Sequence, residues 1–114
     1  MSEPRGLTVR WSLVDAPAGV EETLAAYVAD TSHARFTGMP GLAYKTWRMV
    51  PGQWFEGCYV FESGEACAAF EETFRAGATD APGSQIIGSS PALIEPCQVV
   101  AIAEGAAGFE PAKR

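Results

Sequence analysis

Two runs rich in aromatic and β-branched residues, Leu42 to Val50 (LAYKTWRMV) and Trp54 to Phe61 (WFEGCYVF), flank Pro51-Gly52. Proline fixes φ at one turn position and glycine supplies φ > 0 at the next, as a type II turn requires, so this stretch reads as a β-hairpin. The hairpin constrains everything around it. Upstream, Leu7, Val9, Trp11 and Leu13 alternate with Thr8, Arg10 and Ser12, so Leu7 to Val14 reads as a half-buried strand. Asp15-Ala-Pro17 then opens a helix, with Pro tolerated in the first turn and Glu21 and Glu22 near the positive end of the dipole. Val20, Leu24, Tyr27 and Val28 form one helical face, which fades over His33 to Phe36 before the breaker cluster Gly38-Met-Pro-Gly41.

Downstream, Ser63 is placed to N-cap a helix from Gly64 to about Ala76. Ala66, Phe70 and Phe74 make its buried stripe, Cys67 and Thr73 lie beside it, and Gly77 stops it. Asp80 to Pro96 is rich in Gly, Ser and Pro, with a short helical turn expected over Ser84 to Ile87 and a role for the segment in a dimer contact. Gln98 to Ala103 (QVVAIA) reads as the last strand.

The order is therefore βαββαβ, an α+β ferredoxin-like arrangement with a four-stranded antiparallel sheet, strands one and three central and both helices on one face. One domain over residues 1–104 is expected, with a loose tail over 105–114. The hairpin strands are apolar in both phases of their alternation, Leu42 and Tyr44 against Ala43, Trp47 and Met49, and Trp54, Cys58 and Val60 against Phe55, Tyr59 and Phe61. Helices cover only one face, so a second sheet is expected over the other, in a symmetric homodimer.

Charge and composition exclude several partners. The formal net charge is −6 and the eight basic residues form no run, which argues against nucleic acid and against an anionic membrane surface. No apolar run approaches the roughly 20 residues of a membrane span, and Met1 to Arg5 has no signal-peptide core, so a cytoplasmic protein is expected. Cys58, Cys67 and Cys97 read as free thiols without a CxxC pair. With His33 the sole histidine, a metal or haem site is not expected. No phosphate loop, GxSxG or paired-carboxylate signature occurs, so no cofactor is expected.

Gly41 to Trp47 (GLAYKTW), Gly57 to Phe61 (GCYVF) and Ser63 to Phe70 (SGEACAAF) together resemble the YdhR-type mono-oxygenases of the dimeric α/β-barrel superfamily. That family's pattern is a Gly-led strand with a Lys-x-Trp core, a strand with Gly, an aromatic, an aliphatic and Phe, then a short helix carrying an aromatic. Glu95 to Val100 (EPCQVV) is similar to the family's last strand. The resemblance implies a dimeric α/β barrel with a pocket between each sheet and its helices. It also implies relatives that oxidise aromatic polyketides with molecular oxygen and neither metal nor flavin, beside others that degrade haem or isomerise lactones.

Within that frame His33, Tyr44 and Tyr59 are the candidate catalytic residues, the imidazole as base and the phenols as donors. Trp11, Trp47 and Cys58 are candidates for contact with a small aromatic or apolar ligand. Each also has a plain structural role: Trp11 and Trp47 as core or dimer packing, Cys58 as a small buried hydrophobe, the tyrosines as satisfied phenols, His33 as a charge at a helix end. Arg10, Lys45, Arg48 and Glu56 read as cross-strand ion pairs before they read as an anion site. Two functions compete: a cofactor-independent mono-oxygenase acting on a small aromatic or apolar molecule, and a non-catalytic homodimer that binds such a ligand or acts as a scaffold.

Overall fold

A computed structural model describes residues 3–109. Along the chain come β1 (Arg5–Ser12), α1 (Val20–Tyr27), α2 (His33–Phe36), β2 (Leu42–Val50), β3 (Trp54–Phe61), α3 (Gly64–Ala76), α4 (Pro82–Ile87) and β4 (Leu93–Gln98). The strands form one antiparallel sheet in the order β2-β3-β1-β4, with β1 and β3 central. This is the ferredoxin-like α+β plan, in which each helical connection links two strands that run parallel with a third strand between them. Among the described residues no helix is long and apolar enough to cross a membrane.

Local chemistry sets most of the boundaries. At the hairpin the Gln53 N–H donates to the Val50 carbonyl at 2.9 Å and Gly52 takes φ 76°, a type II turn. Ser63 accepts from the Ala66 N–H at 3.1 Å and starts α3. α1 begins later than Asp15-Ala-Pro17: the chain first makes turns, and left-handed Gly19 precedes Val20. A π turn over Val28–Ser32 joins α1 to α2, with the His33 N–H bonded to the Val28 carbonyl. One extra residue is thus held inside an otherwise continuous helical path.

The last strand lies earlier than QVVAIA predicts. β4 is Leu93–Gln98, with Ile94 opposite Val9 and Pro96 opposite Leu7. A proline has no N–H for a central ladder, but on an edge strand that lack is harmless. Asp80 to Pro96 holds α4, which contains the helical turn expected over Ser84 to Ile87, and much of β4. Residues 99–109 are not strand, and Val100 is 93% exposed. The Phe109 ring stacks on Tyr44 of β2 at 5.5 Å, so the tail passes from the β4 edge to the β2 edge. The remainder of the expected loose tail, residues 110–114, lies outside the described residues.

Leu7, Val9, Trp11 and Leu13 are buried beneath the helices with Leu24, Phe36, Phe55, Phe61 and Ile87. The opposite face carries the apolar side chains expected of it together with charge. A bulge between Leu42 and Tyr44 breaks the alternation, placing Leu42 against the core and Tyr44 on the open side. Arg10 and Arg48 stand in register on either side of Glu56, so the centre of the open face is charged. Trp54, Cys58 and Val60 share β3's open-side phase with Glu56, so a cover over this face would meet ions as well as apolar groups.

Candidate active site

A cavity of about 200 Å³ opens between the helix-side face of the sheet and α1, α2, α3 and the segment leading into α4. It exists because β3 places Gly57 where Trp47 and Val9 flank it. A Cβ there would stand 3.2 Å from Lys45 Cε and 3.3 Å from the Tyr59 ring, so a side chain would occupy the floor. Trp11 forms one end. Its indole N–H donates to Ser84 Oγ at 3.0 Å, and Ser84 donates to the Ala78 carbonyl at 2.6 Å. Gly83 lies close against that indole, where a Cβ would come within 3.0 Å of Cζ2. The segment leading into α4 therefore closes the Trp11 end, the placement found here for a stretch expected at a dimer contact.

The walls are aromatic. Phe36 meets Tyr59 edge-on at 5.6 Å, and Tyr59 lies 4.9 Å from Phe70, with Trp47, Phe55 and Phe74 completing the lining. Such rings suit a flat apolar ligand.

Lys45 is the basic side chain that β2 brings into this cavity. The β2 alternation puts it in phase with Trp47 and Met49, facing the helices. Its Nζ lies 3.6 Å from the centroid of Phe36, 4.3 Å from that of Tyr59 and 4.4 Å from that of Trp47. Among the described residues it makes no hydrogen bond or ion pair. Burial, and then the Arg35 guanidinium, push its pKa down from 10.5 to about 6. At neutral pH the amine is therefore largely unprotonated and can accept a proton. Burial pushes the Tyr59 phenol well above its ordinary value, so it stays protonated and can donate. Arg35, Tyr27, Ser32 and Thr73 add polar atoms to the lining, whereas among the described residues no Asp or Glu is found in it.

A larger, open groove of about 940 Å³ runs outside the cavity, between the α1–α2 path and the β2 edge. Lys45, Trp47, Phe36 and Phe55 line both spaces, so these side chains form the partition. His33 and Tyr44 face this groove. The His33 ring lies 5.9 Å from Trp47, and Tyr44 is occupied by its stack with Phe109.

Of the residues singled out by sequence, Trp11, Trp47 and Tyr59 meet in the cavity, while His33 and Tyr44 lie in the groove. Cys58 does not join them. It sits on the open sheet face, where its thiol donates to Glu56 at 3.2 Å. Burial and the Glu56 carboxylate push that thiol above its ordinary pKa, so it is not activated. The ion pairs expected in the strands form for three of the four charges: Arg10 Nε lies 2.8 Å from Glu56 Oε1, and Arg48 pairs with Oε2. Lys45 is the exception. Among the described residues no group of three or more His, Cys, Asp or Glu converges as metal ligands would.

No family model matches this sequence, and no curated protein matches it. Solved structures do match. A protein of unknown function from Nitrosomonas europaea aligns over 90% of this chain and 95% of its own, with TM-score 0.67 and 21% identity. A monooxygenase from Streptomyces coelicolor, solved in complex with nanaomycin D, aligns over 92% and 94%, with TM-score 0.62 and 15% identity. A chain from Chloroflexus aurantiacus assigned to the antibiotic biosynthesis monooxygenases aligns over 89% and 97%, with TM-score 0.53 and 15% identity. The fold of this chain is thus one that monooxygenases share with proteins of unknown function.

Proposed function

We propose that this chain is a YdhR-like, cofactor-independent mono-oxygenase that oxidises a small aromatic molecule in the cavity of Lys45 and Tyr59, and that it works as a homodimer. The observation that carries the reading is a free amine and a protonated phenol converging inside an aromatic-walled cavity. Lys45 takes a proton from an activated CH₂ beside an aromatic ring. The resulting carbanion reduces molecular oxygen and forms a C–O bond to the peroxide. Tyr59 donates to the oxygen on which charge gathers. Loss of the second C–H proton with O–O cleavage leaves a carbonyl and water, so the balance is CH₂ + O₂ → C=O + H₂O.

Oxygen uptake on a hydroxyanthrone tests this. Lys45→Met is expected to lower kcat by about 100-fold or more, the scale of a lost general base. Tyr59→Phe is expected to lower it by about 100-fold, the scale of one lost oxyanion donor. His33→Ala leaves turnover near the parent's, because His33 lies across Trp47 from the cavity. The amine is unprotonated above its pKa of about 6, so turnover rises with pH through that value. If no aromatic CH₂ compound consumes oxygen, the non-catalytic binder replaces this reading. If His33→Ala abolishes turnover and Lys45→Met does not, the base is His33.

Support for the dimer comes from the sheet face without helices and from the exposed Val100, Ile102 and Phe109. Light scattering is expected to give twice the chain mass of 12.1 kDa. A monomer at micromolar concentration would refute the pairing.

A further inference from the structure

We propose that the cavity selects its ligand as an anion: a flat aromatic acid whose ionised oxygen sits on Lys45 Nζ, within the field of Arg35 at the same cavity. This rests on the mono-oxygenase reading of that site and names its ligand class.

The argument starts from charge placement. The chain carries a formal net charge of −6, yet the charged residues lining this cavity are Arg35 and Lys45. Three other cations, Arg10, Arg48 and Arg75, have carboxylate acceptors. Glu56 takes both Arg10 and Arg48 on the far face of the sheet, and Glu71 takes Arg75 on α3. Among the described residues neither Lys45 nor Arg35 has such a partner. The Tyr59 phenol, also in the lining, makes no hydrogen bond within the described residues. An amine that an anion would recharge, an exposed guanidinium and a phenol donor, none with an acceptor among the described residues, surround a space walled by rings. A carboxylate, phenolate or enolate on a flat ring system satisfies all of them together. An apolar cavity of about 150 Å³ accepts benzene, so about 200 Å³ with a side open to the groove takes a fused pair of rings.

The groups that face Lys45 decide how protons move. From β3 comes Tyr59, from α1 Tyr27, from α2 Arg35 and, across the groove, His33. Tyr44 and Arg48 of β2 border the groove in the phase opposite to Lys45, and α3 supplies Phe70 and Thr73, which do not titrate. None of these offers a negative charge near neutral pH. An incoming anion is therefore the counter-charge that restores the ammonium. The enol tautomer of the activated CH₂ compound transfers its O–H proton to Lys45 and gives the same delocalised anion as loss of its C–H proton, the first step of the proposed reaction. A ligand already ionised must instead draw a proton from water as it binds.

Isothermal titration of the full chain at pH 8 with 2-naphthoate and with its neutral isostere 2-naphthamide separates the outcomes. The naphthoate is expected to bind about tenfold tighter or better, as charge-assisted hydrogen bonds imply. Its heat should differ between phosphate and Tris, reporting proton uptake, and its affinity should fall as pH rises further. Lys45→Met should abolish both the preference and the uptake. Arg35→Gln should weaken naphthoate and keep the uptake. Equal binding of naphthoate and naphthamide, or naphthoate binding without proton uptake, overturns anion selection and leaves the oxygen-uptake reading standing. Failure of both probes to bind, together with absent oxygen uptake, overturns both.

Discussion

Lys45→Met should raise the melting temperature at pH 7 by about 8 °C, although it removes the proposed base. An unfolded chain carries this amine at its ordinary pKa of 10.5, whereas in the fold it lies at about 6. That difference corresponds to at most about 6 kcal/mol of destabilisation at low pH. A Met side chain packs less well than the amine it replaces against the three rings, and this offsets part of the gain, leaving about 2 kcal/mol. The sign with pH follows from proton counts. Between about 6 and 10.5 the unfolded state binds a proton that the folded state has released, so parental stability rises with pH across that window. Below the lower value both states are protonated and the penalty is complete. The gap between parent and variant should thus be widest at pH 6 and below, and close toward pH 10. Thermal melts over this range, monitored by circular dichroism, measure it. Parallel curves would show that Lys45 is charged in the fold.

Removing both guanidiniums from Glu56 should have the opposite sign. Arg10→Met with Arg48→Met leaves a side chain with no solvent exposure and a full charge, at a cost of about 3–5 kcal/mol. Burial alone pushes Glu56 upward, and the hydrogen bonds from Arg48 and Arg10 outweigh it, holding the carboxyl below its ordinary value. In the parent, then, Glu56 supports the fold above the ordinary carboxylate pKa, and this support is lost as pH falls through the lowered value. In the double variant burial is opposed mainly by the weak Cys58 thiol donor, so stability should instead fall as pH rises above the ordinary carboxylate range. Adding Glu56→Met to the pair should restore most of the loss, because a packed apolar trio needs no counter-charge. Urea denaturation at pH 4 and pH 8 reads both effects. A double variant as stable as the parent would show that Glu56 reaches water once its cover is gone.

The hairpin and α3 could be read from the chain because single residues determine them locally: Pro51-Gly52 for the turn, Ser63 for the cap. β4 could not, since pattern favours VVAIA over a segment containing Pro96. What admits the proline is an edge position, and that is a property of the assembled sheet. The cavity was half visible. Alternation put Trp11 on the buried face of its strand and Tyr59 in phase with Phe55 and Phe61, but Lys45 was grouped with Arg10, Arg48 and Glu56 as a strand charge. Its phase with Trp47 and Met49, opposite to that of Arg48, was the available signal. Arg35 carried none, because the π turn that brings it to the cavity follows no short-range pattern.

That turn also bears on how such a site can arise or vanish. Ser32 lies within it, and Arg35 and Phe36 follow it at the cavity. A π turn holds one residue more than α-helical winding needs, and one residue of helix is about 100° of rotation. Loss of a single codon between Val28 and Ser32 would leave every strand and its register untouched, yet carry Arg35 and Phe36 off the cavity. The architecture and its chemistry are therefore separable by the smallest in-frame deletion, and homologues of one fold could differ in activity by that step alone.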